Sequence, residues 1–179
     1  MPSTVDERGF SKKWIKIVFL GALSVSLSAV EDLFLPAVPL PGVSLGLNNA
    51  VFLIFLEWLK PLELLIAQLL KVFLSAILYK GLNPVQLTLA LSGAFAASAV
   101  LLLYKRLIYG TSFTPISISA LMATAHLTAQ IAASSLVLGS DVPFAYLPFS
   151  GMASVVLGSF VGLVAIKAKL FLMRQQSLD

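Results

Sequence analysis

Apolar blocks separated by short joints run the length of this chain. Trp14–Val30, Leu47–Leu59, Pro61–Tyr79, Pro84–Tyr104, Ile116–Leu138 and Phe144–Ile166 each read as one helix. All but the second approach the roughly 20 residues that cross a hydrocarbon core. The joints carry the helix breakers. Lys60-Pro61 marks one bend, because proline is tolerated at a helix start. Gly81-Leu82-Asn83-Pro84, Gly110-Thr111 with Pro115, and Gly139–Pro143 mark three more. The short second block can span if Val43–Gly46 dips in ahead of it as a partial turn. The alternative is five spans with that block re-entrant.

Between the first two blocks lies Leu40-Pro41-Gly42-Val43-Ser44-Leu45-Gly46-Leu47-Asn48-Asn49. Pro41 and Gly42 block a regular helix there. Irregular polar backbone at membrane depth survives only where protein buries it or where it lines a cavity. A cavity in a small membrane protein points to a ligand.

Composition agrees. The chain has 179 residues, 59% of them hydrophobic and only 11% charged, where a soluble domain carries about 25% charged residues. The prediction is an all-α integral membrane protein with six transmembrane helices. It forms a single transmembrane domain over 1–179, with tails at 1–12 and 171–179. There is no cysteine, which excludes thiolate and disulfide chemistry.

Charge sets the orientation. With the N-terminus inside, ten of the twelve Lys and Arg residues fall on the inner side, leaving Lys71 and Lys80. Six spans return the basic C-terminal tail to that same face, so both termini are expected to be cytoplasmic. This placement also explains the net charge of +4 without nucleic acid. A cleavable leader is the rival reading of the N-terminus. The apolar run continues past Ser26-Leu27-Ser28 into Ala29-Val30, and charge parity needs this helix.

A few polar side chains interrupt the apolar blocks. A charge inside a bilayer costs about 2.5–3.5 kcal/mol on insertion scales, so it needs a partner or a purpose. Lys71 lies near the middle of the third block. It either pairs with Glu31 or Asp32 at the end of the first block, or faces an anionic group on a ligand. Gln68 shares its face. His126 and Gln130, at i and i+4, share a face of the fifth block. They serve either as interhelical hydrogen-bonding groups or as a polar patch in a pocket. Asn48 and Asn49 can cap the second helix or reach a ligand. Ala22 with Ser26, and Ser24 with Ser28, have small-x-x-x-small spacing, as do Gly158 and Gly162. Such spacing lets helices approach closely, within the bundle or against another membrane subunit.

Several chemistries are missing. No Walker A pattern occurs, so the chain cannot power transport by itself. No HExxH or GxSxG pattern is present. Glu31-Asp32 is the only adjacent acidic pair beyond the N-terminal tail, and no Asp-Asp-x-x-Asp cluster holds magnesium. No metal site, cofactor or catalytic residue is expected.

Together these residues resemble the Gx transporter family, also called heptaprenyl diphosphate synthase component I. That family is similar to the substrate-binding S components of energy-coupling factor (ECF) transporters. The resemblance covers roughly residues 18–170. It rests most on Leu40–Asn49, against a family pattern like L-P-G-[VI]-[KR]-L-G-L-A-N. Glu31, Leu70-Lys71-Val72 and Ala125-His126 with Gln130 match further family segments. Ser44 stands where a basic residue is usual, Lys71 where arginine is usual, and Leu127 where asparagine follows the histidine. The resemblance implies an S-component-like bundle in the cell membrane. Such a bundle would bind a small molecule, anionic where Lys71 faces it, and would be energised by separate ATPase and coupling subunits. Glu31, Gly42, Ser44, Gly46, Asn48, Asn49, Lys71, His126 and Gln130 would line, brace or cover the pocket. Ala22, Ser24, Ser26 and Ser28 would form the docking face. The family's second name implies a different role, a membrane component supporting polyprenyl diphosphate synthesis.

Overall fold

The computed structural model describes residues 7–34, 47–108 and 114–176. They form six α-helices: α1 (Glu7–Phe34), α2 (Leu47–Ile54), α3 (Pro61–Ser75), α4 (Pro84–Leu103), α5 (Pro115–Leu138) and α6 (Leu147–Gln176). Single π-helical turns extend α3 (Ala76–Lys80) and α4 (Tyr104–Ile108), and 3₁₀ turns occupy Leu56–Trp58 and Val142–Tyr146. No strand occurs among the described residues.

Local chemistry sets the helix starts. Pro61, Pro84 and Pro115 each open a helix, where the missing N–H is no loss. The preceding residues complete the caps. Val85 N donates to Asn83 Oδ1 at 2.9 Å, and Ser117 N donates to Thr114 Oγ1 at 3.3 Å. Glu63 reaches back to accept from Lys60 N at 3.0 Å. Gly139 ends α5 in the left-handed region at φ 59°, the conformation glycine adopts most readily.

Four helical stretches are long and apolar enough to cross a membrane: Pro61–Leu78, Pro84–Leu107, Pro115–Leu138 and Val142–Arg174. Large apolar side chains such as Phe19, Ile77, Leu136, Phe149 and Met152 point outward. So continuous an apolar exterior fits lipid rather than water. The protein is membrane-embedded.

Six helices occur among the described residues, but only four stretches are long and apolar enough to span, and three blocks differ in form. α1 runs from Glu7 to Phe34, past both ends of Trp14–Val30. α6 runs ten residues past Ile166, because Lys167–Gln176 holds good helix formers and neither Gly nor Pro. The Leu47–Leu59 block is not one helix. α2 has 8 residues, about 12 Å of rise, and breaks at Phe55 into the 3₁₀ turn. It is a core segment: Asn48 through Leu53, Leu56 and Leu59 are all buried.

Neighbouring helices close a circuit: α1 packs on α3, α3 on α4, α4 on α5, α5 on α6, α6 on α2, and α2 back on α1. The α5–α6 seam is tight because of Gly158 and Gly162. A Cβ at Gly158 would meet Ala120 Cα at 2.7 Å, and one at Gly162 would meet Ile116 Cα at 2.6 Å. That small-x-x-x-small pair is therefore spent on packing within the bundle.

The two ends of the bundle differ. One carries Lys60, Lys105, Arg106, Lys167, Lys169 and Arg174, and is called the basic end here. There Lys169 Nζ donates to Glu57 Oε1 at 2.7 Å. Lys105 Nζ donates to the carbonyls of Leu56, at 2.8 Å, and of Leu59. One ammonium thus caps the carbonyls left open where α2 breaks. The far end carries the turns at Gly81 and Gly139.

Candidate functional site

The interior is divided along the bundle axis. The continuous apolar core draws on Ile17 and Leu20 of α1, Phe52 and Leu53 of α2, and Leu64 of α3. Leu101 of α4, Met122 of α5 and Val161 of α6 complete it. α1, α3 and α5 rise from the basic end, and α2, α4 and α6 return to it. Early positions on the first three and late positions on the others therefore lie in the same half. The apolar core fills the half toward the basic end.

The buried polar residues sit mostly in the other half. Ser24 and Ser28 come from α1, Asn48 and Asn49 from α2, Lys71 and Ser75 from α3, and Ser150 and Ser154 from α6. Asn48, Asn49, Gln68 and Lys71 are only 5%, 6%, 2% and 8% exposed. On α3 this follows from spacing. Leu64, Ala67, Gln68, Lys71, Val72 and Ser75 recur at three and four residues, so one inward stripe turns from apolar to polar along its length.

Some sequence-predicted residues meet. Asn48 Nδ2 donates to Ser28 Oγ at 2.8 Å, joining α2 to α1 at the far end. His126 lies flat against α4. A Cβ at Gly93 would fall 2.6–2.8 Å from three atoms of its ring, so only glycine leaves room. Lys71 and His126 sit ten and eleven residues beyond the prolines that open their helices. At 1.5 Å per residue, both lie about 15 Å above the basic end.

Others do not join them. Gln130 faces a separate cavity of about 400 Å³ between α4, α5 and the 3₁₀ turn after α5, shared with Leu127, Ser134 and Tyr146. The backbone of Glu31 belongs to α1, but its side chain, with Gly42, Ser44 and Gly46, lies outside the described residues. The four small residues of the expected docking face divide between two sides of α1. Ala22 and Ser26 are exposed, whereas Ser24 and Ser28 are buried because they lie on the opposite face of α1 and pack into the bundle.

Three buried atoms on three consecutive members of the circuit have no hydrogen-bond partner: Ser24 Oγ on α1, Gln68 Nε2 on α3 and Ser98 Oγ on α4. A desolvated amide or hydroxyl left without a partner costs about 1–3 kcal/mol. Such groups call for an explanation, and a bound polar molecule is one. Ser98 and Gly93 escaped sequence reasoning. Gly93 left one local signal, an isolated glycine inside a helical run, which costs about 1 kcal/mol against alanine unless packing requires it. No group of three or more His, Asp or Glu residues that could hold a metal occurs among the described residues.

Fold and interior together define a polytopic helical membrane protein whose core is apolar at one end and polar at the other. The chain belongs to the heptaprenyl diphosphate synthase component I family, whose profile matches residues 20–168. No curated protein and no solved structure matches it.

Proposed function

We propose that this chain is the membrane-embedded substrate-binding subunit of a small-molecule uptake transporter of the Gx type, resembling the S components of ECF transporters. The observation that carries this reading is the divided interior. A polar, desolvated layer rests on a packed apolar floor, which suits a site entered from the far end and sealed from the basic end. Positive charge in short joints argues that the basic end is cytoplasmic. The bound molecule would meet Lys71, Asn49 and His126, with Gln68 and Ser98 supplying unpaired polar atoms. The Pro36–Asn48 connection, most of which lies outside the described residues, would cover it. Lys71 favours a ligand carrying a carboxylate or phosphate. With no nucleotide-binding motif in the chain, ATPase and coupling subunits would supply energy, docking on the Ala22 and Ser26 face of α1.

A second reading takes its terms from the family's description. The chain would be a non-catalytic membrane component associated with polyprenyl diphosphate synthesis, its partner supplying magnesium and catalysis. Affinity purification of the tagged chain from its native membrane separates the two. ATPase and coupling subunits in the eluate support the transporter. A soluble, aspartate-rich prenyl synthase in their place would overturn it.

A further inference from the structure

A second cavity, of about 500 Å³, opens at the basic end between α2, the start of α5 and α6. Leu53, Leu56, Tyr104 and Ala165 form its floor, all buried, and the Glu57–Lys169 pair stands at its rim. It lies on the opposite side of the apolar core from the polar layer, so it is not the site proposed above. Its volume falls in the range of small-molecule sites, about 300–1,000 Å³. Its wall is mostly apolar and its mouth is charged, which is the chemistry of an amphiphile.

Charge at this end selects the sign. Among the residues whose side chains are described, Lys16, Lys60, Lys105, Arg106, Lys167, Lys169 and Arg174 stand against Glu57 and Glu63. Lys105 is committed to the Leu56 and Leu59 carbonyls. Lys169 pairs with Glu57, and the two side chains are 38% and 45% exposed. So exposed a pair is held weakly, and an incoming phosphate can displace the carboxylate.

We propose that this cavity is a binding site for one anionic phospholipid of the surrounding bilayer. An acyl chain fills the floor and the head-group phosphate sits on Lys169. The inference does not depend on the transport reading, since it uses neither the polar layer nor a partner subunit.

The chain has two tryptophans, and Trp58 directly follows Glu57, a residue that lines the cavity, with 56% of its surface exposed. In a Trp14→Phe background, Trp58 becomes the sole fluorophore. The protein is reconstituted into phosphatidylcholine vesicles in which a fixed fraction of either phosphatidylglycerol or phosphatidylcholine is brominated. Brominated phosphatidylglycerol should quench Trp58 with about a fivefold preference, the enrichment expected from one cation at an anionic surface. Lys169→Gln should abolish the preference, and so should Ala165→Phe, which fills the floor. Lys167→Gln, which alters an exposed cation outside the cavity, should leave it intact. Equal quenching by the two lipids would overturn the proposal. So would equal losses in Lys167→Gln and Lys169→Gln, which would mean non-specific attraction to the whole basic end. Retention of the preference in Lys169→Gln would also overturn it, whether or not Ala165→Phe folds.

Discussion

Gly93→Ala is the most instructive single change, because structure and stability respond to it differently. The added methyl would stand 2.6–2.8 Å from Cε1, Nε2 and Nδ1 of His126. Ordinary contact begins near 3.4 Å, so the ring must retreat by about 0.8 Å or rotate away. Two energies then oppose each other. Alanine gains about 1 kcal/mol of helix propensity over glycine. Overpacking costs about 1–3 kcal/mol. The net loss is about 0–2 kcal/mol, or a few degrees in Tm for a chain this long. The imidazole, by contrast, must move. His126 is the only histidine in the chain, so ¹⁵N-histidine labelling gives one unambiguous set of ring signals. Gly93→Ala should shift those signals strongly while Tm falls only slightly. Gly151→Ala is the control, since nothing lies within 4 Å of its added methyl. It should leave the histidine signals in place and raise stability by about 1 kcal/mol. Unchanged ring signals in Gly93→Ala would refute the packing of His126 on α4.

Other positions give further tests. Gly158→Ala meets backbone rather than a movable side chain, with Ala120 Cα at 2.7 Å and Ser119 O at 2.9 Å. It should therefore destabilise by more than Gly93→Ala, about 2 kcal/mol or above in thermal unfolding; a neutral result would mean that α5 and α6 are not held that close. Lys105→Met removes both hydrogen bonds to the carbonyls where α2 ends, and bonds to charged groups contribute about 1.5–3 kcal/mol each, net of water. Amide exchange should rise through Leu56–Leu59, and Lys105→Arg should preserve more of the protection. Asn48→Leu breaks the 2.8 Å bond to Ser28 and leaves a buried hydroxyl, so unfolding should come about 1–2 kcal/mol more easily. Glu57→Gln, at an exposed pair, should change stability by no more than about 1 kcal/mol.

Much of the scaffold was readable locally. A proline at the first helical position needs only its own residue and the cap before it, so the starts at Pro61 and Pro84 were legible, and the start at Pro115 was placed one residue late, at Ile116. The turn at Gly139 was legible for the same reason, since a left-handed backbone is a single-residue property. What depends on register between helices was not. Nothing in the run around Leu56 and Leu59 announces that Lys105 closes their carbonyls. Nor does the apolar pattern of α4 show that Gly93 faces the imidazole of His126. The small residues of α1 were visible, but their direction was not, and Ser24 and Ser28 turned inward while Ala22 and Ser26 turned out. Lys71 was marked by charge alone, because burying an ammonium is costly wherever it lies. The stretch most informative in sequence, Leu40–Gly46, lies outside the described residues.

The central claim is that the polar half of the interior holds a small molecule. Native mass spectrometry of protein extracted gently from its own membrane tests it most directly. One retained adduct per chain is expected, lighter than any membrane lipid, and it should be lost in Lys71→Ala while the protein stays folded. A bare chain carrying lipid alone, or an adduct that survives Lys71→Ala undiminished, would contradict it.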